Sequence, residues 1–179
     1  MGKRAVIVID MLNDFVTGNL ANPRAQRIIP PLQRLLSAAR ASDTPVIYCC
    51  DTHLPGLDHE LNLWGNHALA GSEGARVIPE LEPQKGDFTV PKRHYSAFFQ
   101  TGLYSLLHDL KVDTLIITGM LSNICVRHTA ADGYQWGFAI VVPEDGIEAL
   151  DDVAQADSLA DMKALYGAEI TSCDELASQ

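Results

Sequence analysis

The feature that most constrains the fold of this chain is the alternation of short, continuously apolar segments with longer amphipathic ones. The apolar segments are rich in β-branched residues, as in "AVIVID" at residues 5–10 and "DTLIITG" at residues 113–119. A strand that is apolar on both faces is typical of a parallel sheet covered by helices on each side. The pattern predicts strands at residues 5–10, 45–50, 87–92, 113–119, 138–144 and 168–172.

The amphipathic segments between the strands predict helices. One begins near Pro30, a second follows Gln100, and two more cover residues 123–136 and 151–167, the last ending at Gly167 as a C-cap. Strands that alternate with helices predict an α/β fold with three layers, α/β/α. A length of 179 residues suits one hydrophobic core, so we expect a single domain over residues 1–179.

Charge and cysteine content exclude several classes of partner and location. The net charge of −10 disfavours nucleic acid and anionic membranes, which require basic patches. No apolar run reaches the roughly 18 residues of a membrane span, and the start of the chain lacks the pattern of a signal peptide. Four cysteines without C-x-x-C spacing favour a reduced, cytoplasmic protein.

Three reactive side chains follow different predicted strands. Asp10 ends the first strand, Lys92 ends the third, and Cys125 follows the fourth. Each alone is more often structural: a turn-capping acid, a solvated lysine or a buried thiol. Because active sites of such sheets lie at the carboxyl ends of the strands, their convergence favours an activated cysteine nucleophile. Asp10 would be the general base, and we expect Lys92 and a helix N-terminus to lower the pKa of the thiol.

Three segments resemble the signature blocks of the isochorismatase-like cysteine hydrolases. They are "VIVIDMLNDF" around Asp10, "VPKRHYSAFFQT" around Lys92 and "ITGMLSNICVRHTAADGYQWGF" around Cys125. This superfamily includes nicotinamidases, N-carbamoylsarcosine amidases and isochorismatases. The resemblance implies that Asp10, Lys92 and Cys125 form a catalytic triad, on a six-stranded, mainly parallel, Rossmann-like sheet.

The resemblance also implies a cis peptide bond between Met120 and Leu121. The backbone N–H groups of Leu121 and Cys125 would then form an oxyanion hole. The implied reaction is attack by Cys125 on a carbonyl, loss of ammonia or an amine, and hydrolysis of a thioester. Isochorismatases cleave a vinyl ether without needing the cysteine, so the presence of Cys125 favours cleavage of a C–N bond.

A segment without clear periodicity, residues 51–74, carries potential metal ligands. Asp51, His53, His59 and His67 offer one carboxylate and three imidazoles, which suit zinc, iron or manganese, although histidines in a polar loop are usually only solvated. The loop resembles that of nicotinamidases, in its Asp-x-His at Asp51 and its Trp-x-x-His ending at His67. The resemblance leaves open whether His59 or the adjacent Glu60 is the fourth ligand.

The same loop bears on the substrate. Its "WGNHA" differs from the Trp-Pro-x-His-Cys form of nicotinamidases, which weakens the assignment to nicotinamide more than it weakens the fold or the triad. Phe15, Trp64 and Tyr95 are predicted to line a pocket for a planar small-molecule amide, nicotinamide being the first choice. No organic cofactor is expected.

The alternatives are an N-carbamoyl or ureido amidase, an isochorismatase-type hydrolase and, remotely, a non-catalytic binding protein. An N-carbamoyl substrate carries a carboxylate and would want an arginine in the pocket, for which Arg93 and Arg127 are the nearby residues. The aromatic segment at residues 92–101, with Phe98 and Phe99, predicts a subunit interface in a homodimer or homotetramer.

Overall fold

A parallel sheet forms the centre of the molecule. The structure, a computed structural model, describes residues 2–179. Its strands run in the order β3-β2-β1-β4-β5-β7, with β6 paired beside β4, and every pairing is parallel. The strands are β1 (Arg4–Ile9), β2 (Val46–Asp51), β3 (Phe88–Lys92), β4 (Thr114–Met120), β5 (Ala139–Pro143), β6 (Ile147–Glu148) and β7 (Glu169–Thr171).

The sheet confirms the predicted fold class, and each of the six predicted strands is present within a few residues of its expected bounds. The additional strand, β6, has only two residues, which is too short for a hydrophobic period to be recognised. It pairs with Gly119 and Met120 at the end of β4 and so widens the sheet at its carboxyl edge.

Helices cover both faces of the sheet. They are α1 (Asn13–Val16), α2 (Ile29–Ala41), α3 (Glu60–Trp64), α4 (Leu103–Asp109), α5 (Arg127–Gln135), α6 (Asp152–Tyr166) and α7 (Cys173–Ala177). A π-helical turn, Ser122–Val126, precedes α5, so the predicted helix over residues 123–136 is in fact two segments. Gly167 adopts the left-handed conformation of a C-cap at the end of α6, as predicted. None of the helices in residues 2–179 combines the length and apolar composition that a membrane span requires.

The alternation of side chains along the strands builds two hydrophobic layers. Val6 and Val8 on β1 pack with Leu32 of α2, in a cluster that also takes in α7. Ile7 and Ile9 point the other way, into a cluster formed with α4, α5 and α6. These fully buried strands account for the continuous apolar runs in the sequence.

The central strands β1 and β4 come closest where each ends. Gly119 pairs with Ile9 and has a φ of +100°. A Cβ atom at Gly119 would lie 2.0 Å from the carbonyl oxygen of Ile9. Only glycine combines this backbone conformation with so close an approach, and the contact lies next to Asp10.

We expect Gly119→Ala to lower the free energy of unfolding by about 3 kcal/mol or more, because it adds a clash to an unfavourable φ. Gly137→Ala is the matched control, since Gly137 also has a positive φ, +89°, but a Cβ atom added there would meet nothing within 4 Å. The control should lose only about 1–2 kcal/mol. Urea denaturation measures the free energy of unfolding of both variants, and an equal loss of stability in the two would contradict the steric argument.

Candidate active site

Adjacent strand ends bring two carboxylates and one ammonium together. Asp10 follows β1, Asp51 ends β2 and Lys92 ends β3, and these three strands are neighbours. Lys92 Nζ lies 2.7 Å from Asp10 Oδ2 and 2.7 Å from Asp51 Oδ1. All three side chains are buried. Asp10 Oδ1 also accepts the backbone N–H of Asp51 at 2.8 Å, which holds the carboxylate in this position.

The thiol of Cys125 joins this group from the fourth strand. The chain leaves β4 through a cis peptide bond between Met120 and Leu121, as predicted, and enters the π-helical turn that contains Cys125. Lys92 Nζ lies 3.7 Å from Cys125 Sγ. Oxygens of Asp10 and Asp51 and the Cys125 sulfur all lie within 4.8 Å of one another. The three side chains predicted as a triad are therefore side by side.

Burial dominates the protonation of this group. Desolvation raises the pKa of Asp10 to about 7, reinforced by the charge of Asp51 and opposed by that of Lys92. Although burial acts to raise it, the pKa of Asp51 is lowered because of the adjacent Lys92 ammonium and hydrogen bonds. Burial also raises the pKa of the Cys125 thiol well above its usual value, despite Lys92. The expectation of a lowered thiol pKa is therefore wrong: Cys125 rests as a protonated thiol beside a carboxyl group that can take its proton.

A second cluster shares Asp51 with the first. Four side chains each contribute one potential metal-ligand atom to this cluster, and these four atoms lie within 4.8 Å of one another. The residues are Asp51, His53, Glu60 and His67. His53 Nε2 is 3.7 Å from Asp51 Oδ2 and 4.0 Å from Glu60 Oε1, and His67 Nε2 is 3.9 Å from Glu60 Oε1. His59 is not a member, and its ring lies 6.5 Å from that of His94.

The four donors of this cluster fit a divalent cation. His53 Nε2 is buried without a hydrogen-bond partner, although buried polar atoms are rarely left unpaired. Burial and the charge of Asp51 raise the pKa of Glu60 to about 7, although His53 and Lys92 act to lower it. Two imidazoles and two carboxylates are a ligand set suited to zinc, iron or manganese.

A cavity of about 270 Å³ opens between the two clusters. The predicted pocket residues Phe15, Trp64 and Tyr95 all line it, and Trp64 Nε1 donates to Tyr95 Oη at 3.1 Å. Apolar side chains form most of the remaining wall, and no lysine or arginine of the described residues is part of the lining. The other lining residues are Asp10, Leu20, Ala21, Asn22, Asp51, Glu60, His67, Met120, Leu121, Ile124, Cys125 and Leu150.

Both arginines considered for a substrate carboxylate are engaged elsewhere. Arg93 pairs with Asp58 at 3.2 Å, and Arg127 pairs with Asp161 at 2.7 Å. Neither Phe98 nor Phe99 lines the cavity: Phe98 is buried in the core, and Phe99 is exposed at the surface. The sequence reasoning missed Leu20 and Leu150 in the wall, because single apolar residues in loops carry no periodic signal.

Comparison with known proteins agrees with this fold. The family model described as "Isochorismatase domain" matches residues 4–175. The chain therefore belongs to the isochorismatase family, as the three sequence blocks indicated. It is a hydrolase that acts on carbon–nitrogen bonds other than peptide bonds, as predicted.

The similar proteins include more than one activity. The uncharacterized isochorismatase family protein YaaI of Bacillus subtilis (strain 168) is 29% identical over 181 residues, covering 97% of this chain and 96% of the relative. The structure of N-carbamoylsarcosine amidase from Thermoplasma acidophilum matches with a TM-score of 0.90 at 37% identity, over 96% of this chain and 97% of that one. Nicotinamidase PncA from Bacillus subtilis matches with a TM-score of 0.89 at 29% identity, over 95% and 100%.

Alkylation of metal-free protein tests the proton relationship of Asp10 and Cys125. We expect the rate of modification by iodoacetamide to rise with pH through about 7, because there Asp10 loses its proton and can accept that of the thiol. In Asp10→Asn the rise should move to the higher pH at which the thiol itself ionises. Cys125→Ala identifies the label on the other three cysteines, and identical profiles for Asp10→Asn and the unmodified sequence would refute the relationship.

Proposed function

We propose that this protein is a cysteine amidohydrolase for a small, uncharged carboxamide, with nicotinamide as the first substrate to test and nicotinic acid plus ammonia as the products. The observation that carries the proposal is the character of the cavity: Cys125 lines a mostly apolar and aromatic space that has no lysine or arginine among the described residues of its lining. A planar amide without a carboxylate fits such a space, whereas the carboxylate of an anionic substrate would find no lysine or arginine of the described residues in the lining and would lie near the acids Asp10, Asp51 and Glu60.

Asp10, Lys92 and Cys125 form the proposed catalytic triad. Cys125 Sγ attacks the carbonyl carbon of the amide while its proton passes to Asp10, so that a C–S bond forms and the carbonyl oxygen becomes negative. Asp10 then returns this proton to the amide nitrogen as the C–N bond breaks. Ammonia leaves, and the acyl group remains as a thioester on Cys125.

Hydrolysis of the thioester repeats these steps with water. Asp10 takes a proton from the attacking water and returns it to the sulfur as the C–S bond breaks, which releases the acid and restores the thiol. Lys92 holds Asp10 in place and offsets negative charge during both halves. The backbone N–H groups of Leu121 and Cys125, residues that both line the cavity, are the proposed oxyanion hole.

Asp51, His53, Glu60 and His67 are the proposed ligands of a divalent metal, zinc, iron or manganese. Glu60 replaces His59 in this proposal, because Glu60 belongs to the cluster and His59 does not. When bound, the cation supplies a positive charge and a coordination position at the cavity wall that Glu60 and His67 form. The aromatic side chains of Phe15, Trp64 and Tyr95 orient the ring of the substrate beside this wall.

An N-carbamoyl amino acid is the second candidate substrate. The 37% identity to the Thermoplasma relative favours it, and the same triad would serve. The cavity argues against it, because the carboxylate of such a substrate finds no arginine there: Arg93 and Arg127 are both paired with acids.

An ammonia-release assay distinguishes the two substrates. We expect release from nicotinamide but not from N-carbamoylsarcosine, and Cys125→Ala should lower kcat/KM at least about 10³-fold because it removes the nucleophile. Cys173→Ala is the matched control, since Cys173 is a buried cysteine outside the cavity lining, and it should retain activity. Ammonia release from N-carbamoylsarcosine alone would favour the second candidate substrate over nicotinamide. Full activity of Cys125→Ala would reject the proposed triad.

We further propose a homodimer or homotetramer that forms through the segment at residues 92–101. Phe99 supports this, because about half of its surface is exposed to solvent in the single chain. In sedimentation velocity, Phe99→Glu should shift the protein towards monomer, and a monomeric unmodified protein at micromolar concentration would rule the interface out.

The four free cysteines support a proposed location in the reducing cytoplasm.

A further inference from the structure

The two imidazoles of the proposed metal cluster are held in the same way but by different groups. His53 Nδ1 lies 3.1 Å from Asp58 Oδ2, and His67 Nδ1 lies 2.8 Å from the carbonyl oxygen of Gly65. In both rings Nε2 is the atom that faces the cluster. One histidine is thus held by a buried carboxylate and the other by a backbone carbonyl.

Asp58 is itself fixed from several directions. Its Oδ2 also accepts the backbone N–H of Leu54 at 2.8 Å, and its Oδ1 pairs with Arg93 at 3.2 Å. The side chain is 5% exposed. Since Arg93 directly follows Lys92, the pair ties the loop that carries His53 to the strand that supplies the lysine of the triad. A carboxylate in this position has little freedom to turn away from the imidazole.

The contact between Asp58 and His53 also determines which nitrogen of His53 can bind. A neutral imidazole carries one proton, and a carboxylate accepts but cannot donate when ionised. Asp58 therefore selects the tautomer with the proton on Nδ1 and leaves the lone pair on Nε2. That atom is buried, has no hydrogen-bond partner and lies 3.7 Å from Asp51 Oδ2. A carboxylate acceptor also makes the opposite nitrogen a stronger ligand than a carbonyl does.

We propose that Asp58 is a positioning residue for metal binding: it orients His53 and fixes its tautomer so that Nε2 joins Asp51, Glu60 and His67. The proposal rests on the metal site described under the proposed function. It assigns no contact between Asp58 and the substrate. It also gives Arg93 a role, to hold Asp58, in place of the substrate contact considered from the sequence.

Asp87 provides a matched control within the same chain. Its side chain is also 5% exposed, its Oδ2 accepts the backbone N–H of Gln84 at 2.8 Å, and it pairs with Arg40 at 2.7 Å. Asp87 thus makes the same two kinds of contact as Asp58 but belongs neither to the cluster nor to the cavity lining. Replacing either acid by alanine should cost a similar amount of stability.

The test is competition for Zn²⁺ between the metal-free protein and a chromophoric chelator, for the unmodified protein, Asp58→Ala, Asp58→Asn and Asp87→Ala. We expect Asp58→Ala to bind Zn²⁺ about 10–100-fold more weakly and Asp87→Ala to bind as the unmodified protein does. Asp58→Asn keeps an acceptor without the charge, so its affinity should fall between. Urea denaturation of the metal-free proteins should show similar losses for the two alanine variants.

Equal Zn²⁺ affinity in Asp58→Ala and the unmodified protein would overturn the role of Asp58. So would an equal loss in Asp87→Ala, because the effect would then be one of stability alone. Failure of the unmodified protein to bind Zn²⁺ would overturn both the metal site and this inference. Normal Zn²⁺ binding without amide hydrolysis would instead reject the proposed substrate and leave the role of Asp58 standing.

Discussion

The ammonium of Lys92, buried between the carboxylates of Asp10 and Asp51, is the interaction on which the rest of the site depends. Taking these charges out of water is unfavourable, and their mutual contacts offset it together with hydrogen bonds to backbone groups. The pairing requires β2 to lie between β3 and β1, with Asp51 in register with Lys92. Removal of one member of such a buried group typically costs about 3–5 kcal/mol, so the site and the stability of the sheet edge are linked.

The same burial determines how the proposed nucleophile can work. Burial is the main reason that the pKa of Cys125 is raised, and the neighbouring charges of Asp10 and Asp51 raise it further. The proton must therefore move as the bond to the substrate forms, and a carboxyl group with a pKa near 7 is suited to take and return it at neutral pH. In the proposed mechanism, Lys92 holds this carboxyl group in place through its contact at 2.7 Å.

Much of the fold followed from the sequence, because continuous apolar runs such as that of β4 have few other solutions. Strand ends then led to Asp10, Lys92 and Cys125, which the structure brings into contact. The sequence could not choose between His59 and Glu60, since adjacent residues of a short helical turn differ only in direction. Nor could it find Leu150, which reaches the cavity through the path of a loop. It misjudged the pKa of Cys125 because desolvation depends on tertiary packing, which spacing does not report.

The two oxygens of Asp51 have different neighbours: Oδ1 contacts Lys92, and Oδ2 faces His53. A substitution of Asp51 would therefore change its contact with Lys92 and its position beside His53 at the same time. In the proposed metal site, a substitution at Glu60 would instead change a ligand without changing the residue that contacts Lys92. Glu60 sits on a short outer helix, α3, with no fully buried residue. The shared aspartate ties the inner half of the cluster to the lysine of the proposed triad.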